Sequence, residues 1–445
     1  MSGNSKNLWS QNASLEAGVL KLSGIPAAQL AKDFGTPSFF LDEDAFRSRS
    51  LAWDNSLRNQ FGDSAGTIYY AAKSFICTAV AQWIADIGIG IDVCTGGELA
   101  VAVAGGIHPS KIEVHGNNKS VSEIDRAVSL GVKTIVMDSL FEIERVAAAA
   151  KKHGVRQGIM LRLTPGVEAH THAKISTAHE DVKFGFSIAS GAAWIALQAV
   201  TQHPELELRG VHCHIGSQIF GSEAHEIATD RLMGFMAKYR DEFGVELPEL
   251  DLGGGFGIAY IDGEVTVEPN DVLPAIHAAV LAACKKYNLA MPIVSLEPGR
   301  NIVGPTMFTL YEVGTVKDVV LEDKSIRKYV SVDGGMSDNA RTALYDAEYT
   351  AVIAQRSSQA PAVLSRLVGK HCETGDIIIR DIQLPADIAP GDLVATPATG
   401  AYGRSMASNY NHVPKPPVVA VKDGKARVIV RRENEADLLA LDVKE

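Results

Sequence analysis

Between Thr67 and Arg300, short apolar runs rich in β-branched residues alternate with amphipathic stretches rich in Ala, Leu, Glu and Lys. This rhythm restricts the chain to folds built from repeated βα units. Eight runs read as strands: TIYYAAK ending at Lys73, GIGIDVCT around Asp92, IEVHG around His115, TIVMDS around Asp138, GIMLRLT around Arg162, LRGVHCHIGS ending at Ser217, ELDLGGGFG around Gly255, and VSLEPGR ending at Arg300. Eight strands with helices between them predict an α/β fold of the TIM-type (β/α)8 barrel rather than an open doubly wound sheet, with the barrel over residues 45–305.

Past Gly304 the pattern changes to TLYEVGTVKDVV, RKYVSVDGG, DIIIRDIQL, GDLVAT, PVVAVKDG and KARVIVRRE, separated by Gly, Asp and Pro with few helix-length segments. This half reads as mostly β. SFFLDEDAF, ahead of the first barrel strand, is expected to join it, so that residues 1–44 and 306–445 form one sandwich or barrel-like β domain.

A chain of 445 residues, 46% hydrophobic and 21% charged, can bury two substantial cores. Its formal net charge of -11 argues against a nucleic-acid partner, which needs concentrated Lys and Arg. The five cysteines, Cys77, Cys94, Cys213, Cys284 and Cys372, are scattered and form no CxxC pair, which fits a reducing cytoplasm. No apolar run reaches the roughly 20 residues of a membrane helix, and the first residues lack a signal-peptide pattern. A cytoplasmic protein acting on a small molecule is expected.

Polar and small residues gather at the ends of the expected strands, where a barrel builds its active site. Lys73 is either a solvated strand-end lysine or an amine for a Schiff base with an aldehyde cofactor. DLGGGFG is either a tight turn or a backbone cradle for a phosphate; with Ile258 where a third glycine would be needed, it is not a dinucleotide fingerprint. His212 and His214 flank Cys213, but with no further ligand cluster expected nearby, no metal is assigned. Ring stacking by His214 on a flat cofactor stands beside the plain reading of a buried, hydrogen-bonded histidine. In Glu297-Pro298-Gly299-Arg300 the two charges could form an internal ion pair. Alternatively, Glu297 could keep a pyridine nitrogen protonated while Arg300 offers a fork to a phosphate or carboxylate.

Taken in order, YYAAK, HCHIGSQ, DLGGGFG, EPGR, HCETGD and TGAY resemble the pyridoxal-phosphate-dependent decarboxylases of alanine-racemase-like fold, and most of all the diaminopimelate decarboxylase family. DEDAFRSR, HGNNK, PGVEAHTH and KFGFS extend the resemblance over nearly the whole chain. It implies that Lys73 carries the Schiff base, that His214 stacks on the ring, and that Glu297 partners the ring nitrogen. It places Ser217, Gly255, Arg300 and Tyr402 around the cofactor phosphate, with Gly299 also at the cofactor. For the substrate it implies Arg300, Arg341, Tyr345 and Tyr402, with Glu373 for a distal ammonium and Cys372 as proton donor. A homodimer in which Cys372 enters the neighbouring subunit's site is implied too. The activity implied is decarboxylation of meso-diaminopimelate to L-lysine, with ornithine, arginine or carboxynorspermidine decarboxylation as the alternatives. The sequence departs from the pattern at Thr342 after Arg341, at Cys94-Thr95, and at Gly403-Arg404 after Tyr402.

Overall fold

The computed structural model describes residues 8–167 and 183–443; of PGVEAHTH, positions 168–172 lie outside them. The chain divides into two compact units, one of Arg47–Gly257 and Val267–Asn301, the other of Met1–Phe46, Ile258–Thr266 and Ile302–Glu445. This division differs from the expected boundaries mainly at Ile258–Thr266, which the sequence pattern places within the barrel. Apolar Ile258 and Tyr260 join the core of the β unit instead, with Tyr311, Val330 and Leu367.

In the first unit all eight expected strands form: β1 (Ala65–Ala71), β2 (Gly90–Val93), β3 (Ile112–Val114), β4 (Thr134–Met137), β5 (Gln157–Thr164), β6 (Leu206–His212), β7 (Glu249–Asp251) and β8 (Ile293–Leu296). Each pairs in parallel with the next, and β8 closes on β1 through Val294 opposite Ala65 and Leu296 opposite Ile68. A closed parallel barrel is covered on both faces, which explains why β2, β3, β4 and β5 are buried at every position instead of alternating.

The connecting helices carry their own start and stop signals. Ser120 and Glu123 form a reciprocal capping box before the helix Val121–Leu130, and Gly131 ends it at φ 72. Ser139 caps the helix Leu140–His153, whose last turn holds Lys151, Lys152 and His153 at the negative end of the helix dipole.

The second unit is built on a mixed sheet. Its long strand β9 (Met307–Val320) pairs with β10 (Ile326–Val332), and β11 (Ala362–Val368) and β12 (Ile377–Pro385) follow outward. On the other side of β9 lies Ser38–Asp42, antiparallel with Phe40 opposite Phe308, followed by β13 (Val418–Lys422) in parallel. The early SFFLD strand is thus central to the β unit, as its five buried residues require. All five cysteines are free. Among the described residues no helix is long and apolar enough to cross a membrane.

Candidate active site

The expected strands end earlier than their apolar runs, and the polar residues singled out above stand just past those ends. Lys73 lies beyond β1, His214 and Ser217 beyond β6, Gly255 beyond β7, and Glu297, Gly299 and Arg300 beyond β8. The reason is local: Gly253 at φ 66 and Gly255 at φ 98 take the backbone out of the extended region, and Pro298 cannot donate to a ladder.

The glycines after β7 are demanded by close backbone approach. A Cβ on Gly254 would lie 2.2 Å from the Glu297 carbonyl oxygen, and one on Gly255 would lie 2.4 Å from that of Gly216. The loops after β6, β7 and β8 therefore abut backbone to backbone. The amide of Gly254 donates to His214 Nδ1 at 3.3 Å, which fixes that nitrogen as an acceptor, and burial holds the imidazole well below its usual pKa, so His214 is neutral. Gly299 is similarly confined: a Cβ there would lie only 2.7 Å from the Ala71 methyl.

Lys73 Nζ stands 3.5 Å from Asp92 Oδ2, at the end of the neighbouring strand. Burial pushes the Asp92 carboxyl up to about 7, against the pull of the Lys73 charge. Arg300 Nη2 donates to Ser217 Oγ at 2.7 Å, so the two polar groups expected around a phosphate are already joined.

Glu297 does not pair with Arg300 in the ion pair considered above. Its Oε1 lies 3.0 Å from Nε2 of His212 and 3.1 Å from Nε2 of His115. Burial disfavours its charge, but the two imidazoles outweigh that and hold the carboxyl well below the usual range. His115 is penalised by burial yet driven by Glu297 and Glu113 up to about 10, while burial takes His212 down to about 4. The arrangement is one imidazolium, one neutral imidazole and one carboxylate.

This cluster corrects the expectation that no ligand-type residues lie near the HCH motif: His115, His212 and Glu297 present ligand-type atoms within 4.8 Å of one another. Nothing in the order of residues joins His115 to Glu297, since 182 positions and five barrel strands separate them; only the position of His115 at a strand end hints at it.

The remaining candidates belong to the β unit. Arg341 and Tyr345 sit four residues apart on the short helix Arg341–Tyr345, and hence on one face. Arg341 is buried, with 6% of its surface exposed; its Nη1 donates to the Tyr349 hydroxyl at 2.6 Å, and its guanidinium lies 4.5 Å from the centre of the Tyr260 ring. Arg341 forms no solvated ion pair with Asp338. Asp338 is itself buried and accepts from the Tyr311 hydroxyl and the Gly335 amide. Tyr260 and Tyr349 carry no recognisable motif, and sequence reasoning misses them.

Cys372 and Glu373 are exposed on the loop between β11 and β12. That loop is pinned by Asp376, which accepts from the His371 amide at 2.7 Å and pairs with the His371 ring at 2.9 Å. The Cys372 amide donates to Asn411 Oδ1 at 2.9 Å, and the Tyr410 hydroxyl is 3.4 Å from Glu373 Oε2. Tyr402 adopts φ 61. Two of the departures noted in the sequence, Gly403-Arg404 and Thr342, have structural counterparts. A Cβ on Gly403 would approach the Thr399 carbonyl oxygen to 2.6 Å, Arg404 Nε donates to the Pro416 carbonyl, and Thr342 Oγ1 donates to the carbonyls of Ile378 and Ala347.

Residues 43–304 match the family model of the pyridoxal-dependent decarboxylases, pyridoxal binding domain. The chain is 51% identical over 443 residues to the diaminopimelate decarboxylase of Mycobacterium tuberculosis (strain ATCC 25618 / H37Rv), covering 98% of both chains. It is 40% identical over 429 residues to that of Bacillus subtilis (strain 168), covering 96% of this chain and 95% of the relative. The crystal structure of the M. jannaschii diaminopimelate decarboxylase in co-complex with L-lysine matches with a TM-score of 0.90 at 30% identity, covering 98% of each chain.

The barrel residues fit pyridoxal phosphate chemically. They supply an amine at Lys73, a backbone cradle at Gly253–Gly255, donors at Ser217 and Arg300, and a buried carboxylate held ionised at Glu297. With fold, motif order and relatives in agreement, the chain belongs to the diaminopimelate decarboxylase family of pyridoxal-phosphate-dependent decarboxylases, with the alanine-racemase-like fold.

Proposed function

We propose that this protein decarboxylates meso-diaminopimelate at its D-centre to give L-lysine and carbon dioxide, the last step of lysine formation. The observation that carries the substrate is Arg341: among the described residues, this buried guanidinium pairs with no carboxylate, and tyrosines surround it instead. A buried cation needs an anion, and a distal carboxylate supplies one. Diaminopimelate ends in both a carboxylate and an ammonium, whereas ornithine, arginine and lysine end in a cation alone. Glu373 offers the acid for the ammonium, and Tyr345, on the same helical face as Arg341, joins the carboxylate side together with Arg300 and Tyr402.

Pyridoxal phosphate, when bound, supplies the electron sink for the pair left behind as carbon dioxide departs. The protein's residues orient and charge the reaction. Lys73 would hold the cofactor's aldehyde through its side-chain amine. His214, neutral and held by the Gly254 amide, would pack on the cofactor's ring. Glu297, held ionised, favours a protonated ring nitrogen. Ser217, Gly255, Arg300 and Tyr402 would hold the cofactor's phosphate, with Gly299 also at the cofactor. The Cys372 thiol gives a proton to the carbon that has lost its carboxylate. The protein acts as a cytoplasmic homodimer, each subunit lending Cys372 and Glu373 to the other's site.

Chiral analysis of the product tests this reading. Stoichiometric carbon dioxide and L-lysine from meso-diaminopimelate are expected; D-lysine, or no carbon dioxide from a protein loaded with cofactor, contradicts it.

A further inference from the structure

Two imidazoles hold Glu297, and none of the roles above uses them. His115 follows β3, His212 ends β6 and Glu297 follows β8, so the three meet across the barrel interior and not along one ladder. Both Nε2 atoms converge on the same carboxylate oxygen, Oε1, at 3.1 and 3.0 Å. The rings meet edge to face, with centres 4.9 Å apart. Exposure is 4% for His115, 0% for His212 and 3% for Glu297, so the group is closed to water.

Around it stand Glu113, 3.8 Å from His115 Nε2, and the charges of Asp92, Asp251, Arg162 and Lys73. Burial together with the Glu297 charge pushes Asp251 well up toward its neutral form. An acid buried among other acids tends to take up a proton, and a positive partner at contact distance is what prevents it.

We propose that His115 and His212 are positioning residues for Glu297: gripping Oε1 from two strands, they fix the carboxylate's orientation and keep it an anion for the cofactor's ring nitrogen. This rests on the ring-nitrogen role of Glu297 given under Proposed function. The histidines do not touch the reacting atoms; they act through Glu297.

Two measurements test it. The first is imidazole nitrogen NMR with the cofactor removed, whose wild-type reading needs no variant to fold. At about pH 8, where an ordinary histidine is neutral, one of the two imidazoles is expected to stay doubly protonated and to become neutral in E297Q. Two neutral imidazoles in the wild type overturn the proposal, as does a stoichiometric divalent metal that is lost in both H115Q and H212Q.

The second is a kinetic cycle. H115Q is expected to lower kcat roughly 10- to 100-fold, the worth of a buried contact between charged groups, with KM changed by less than about threefold. The H115Q/E297Q double variant is expected to match E297Q alone, because the histidine acts through the carboxylate. Losses that multiply would mean an independent role and overturn the proposal. If E297Q alone retained wild-type kcat, the ring-nitrogen role itself would be the one to fall.

Discussion

Arg341 donates from Nη1 to the Tyr349 hydroxyl at 2.6 Å, inside a core that encloses the guanidinium with two tyrosine rings. A charge held this way is oriented without being neutralised. Arg341→Leu is therefore expected to lose binding to the substrate's far carboxylate and little else. Removing one partner of a desolvated charge pair costs about 2 to 5 kcal/mol, so kcat/KM on meso-diaminopimelate should fall at least roughly 30-fold. Visible spectra of the bound cofactor are expected to stay unchanged. Normal kinetics in this variant would remove the argument for a dicarboxylic substrate.

Lys73 stands just past β1, beside a buried acid. Lys73→Ala is expected to abolish turnover and the visible absorbance of the covalently held cofactor, while noncovalent binding through Ser217, Arg300 and the glycine cradle persists. Equilibrium dialysis with absorbance spectroscopy checks both halves. Full activity without Lys73 would refute the assignment.

Gly255 combines φ 98 with a Cβ position 2.4 Å from the Gly216 carbonyl oxygen. Gly255→Ala has to move backbone, and overpacking of this kind costs about 1–3 kcal/mol. A lower Tm together with weaker cofactor retention is the expected outcome, read by thermal unfolding and by titration of the cofactor into the apoprotein. A lower Tm with unchanged retention would show that the glycine loop is only a turn.

His225 gives a pH signature separate from the Glu297 cluster. It stacks on Phe256, its Nε2 meets the Gly254 carbonyl at 3.2 Å, and burial depresses its pKa to about 4. A histidine lowered in the folded state is neutral there and gains its proton more readily when unfolded. It therefore leaves stability intact above its ordinary pKa of about 6.5 and removes it as pH falls toward 4, by about 3 kcal/mol. Unfolding measured across that window should slope less in H225Q than in wild type; equal slopes would contradict it.

If Cys372 and Glu373 serve the neighbouring subunit, mixing Lys73→Ala with Cys372→Ala protein should regenerate about a quarter of wild-type sites under random exchange across a two-fold interface. No recovery after demonstrated exchange would place each complete site within one chain.

Much of the barrel is legible in the sequence because burial on both faces leaves continuous apolar runs such as IVM in β4 and IML in β5. The site residues are legible where strand ends meet glycine or proline, as at DLGGGFG and EPGR. Less visible are contacts closed by the fold itself. His115 and His212 come from strands on different sides of the barrel, and Tyr260 comes from a segment that reads as part of the barrel but packs in the β unit. Position in sequence holds no trace of the Tyr260–Arg341–Tyr349 stack, because each partner is an ordinary residue until the chain folds around it.

Discrimination at the substrate's far end decides whether the pocket takes a carboxylate and an ammonium together or a cation alone. With purified protein and added cofactor, kcat/KM should be measured side by side for meso-diaminopimelate, ornithine, arginine and lysine. A preference for meso-diaminopimelate of at least roughly 30-fold over each of the others is expected, set by the buried guanidinium. An equal or higher value for ornithine, arginine or lysine would contradict it, even with decarboxylation intact.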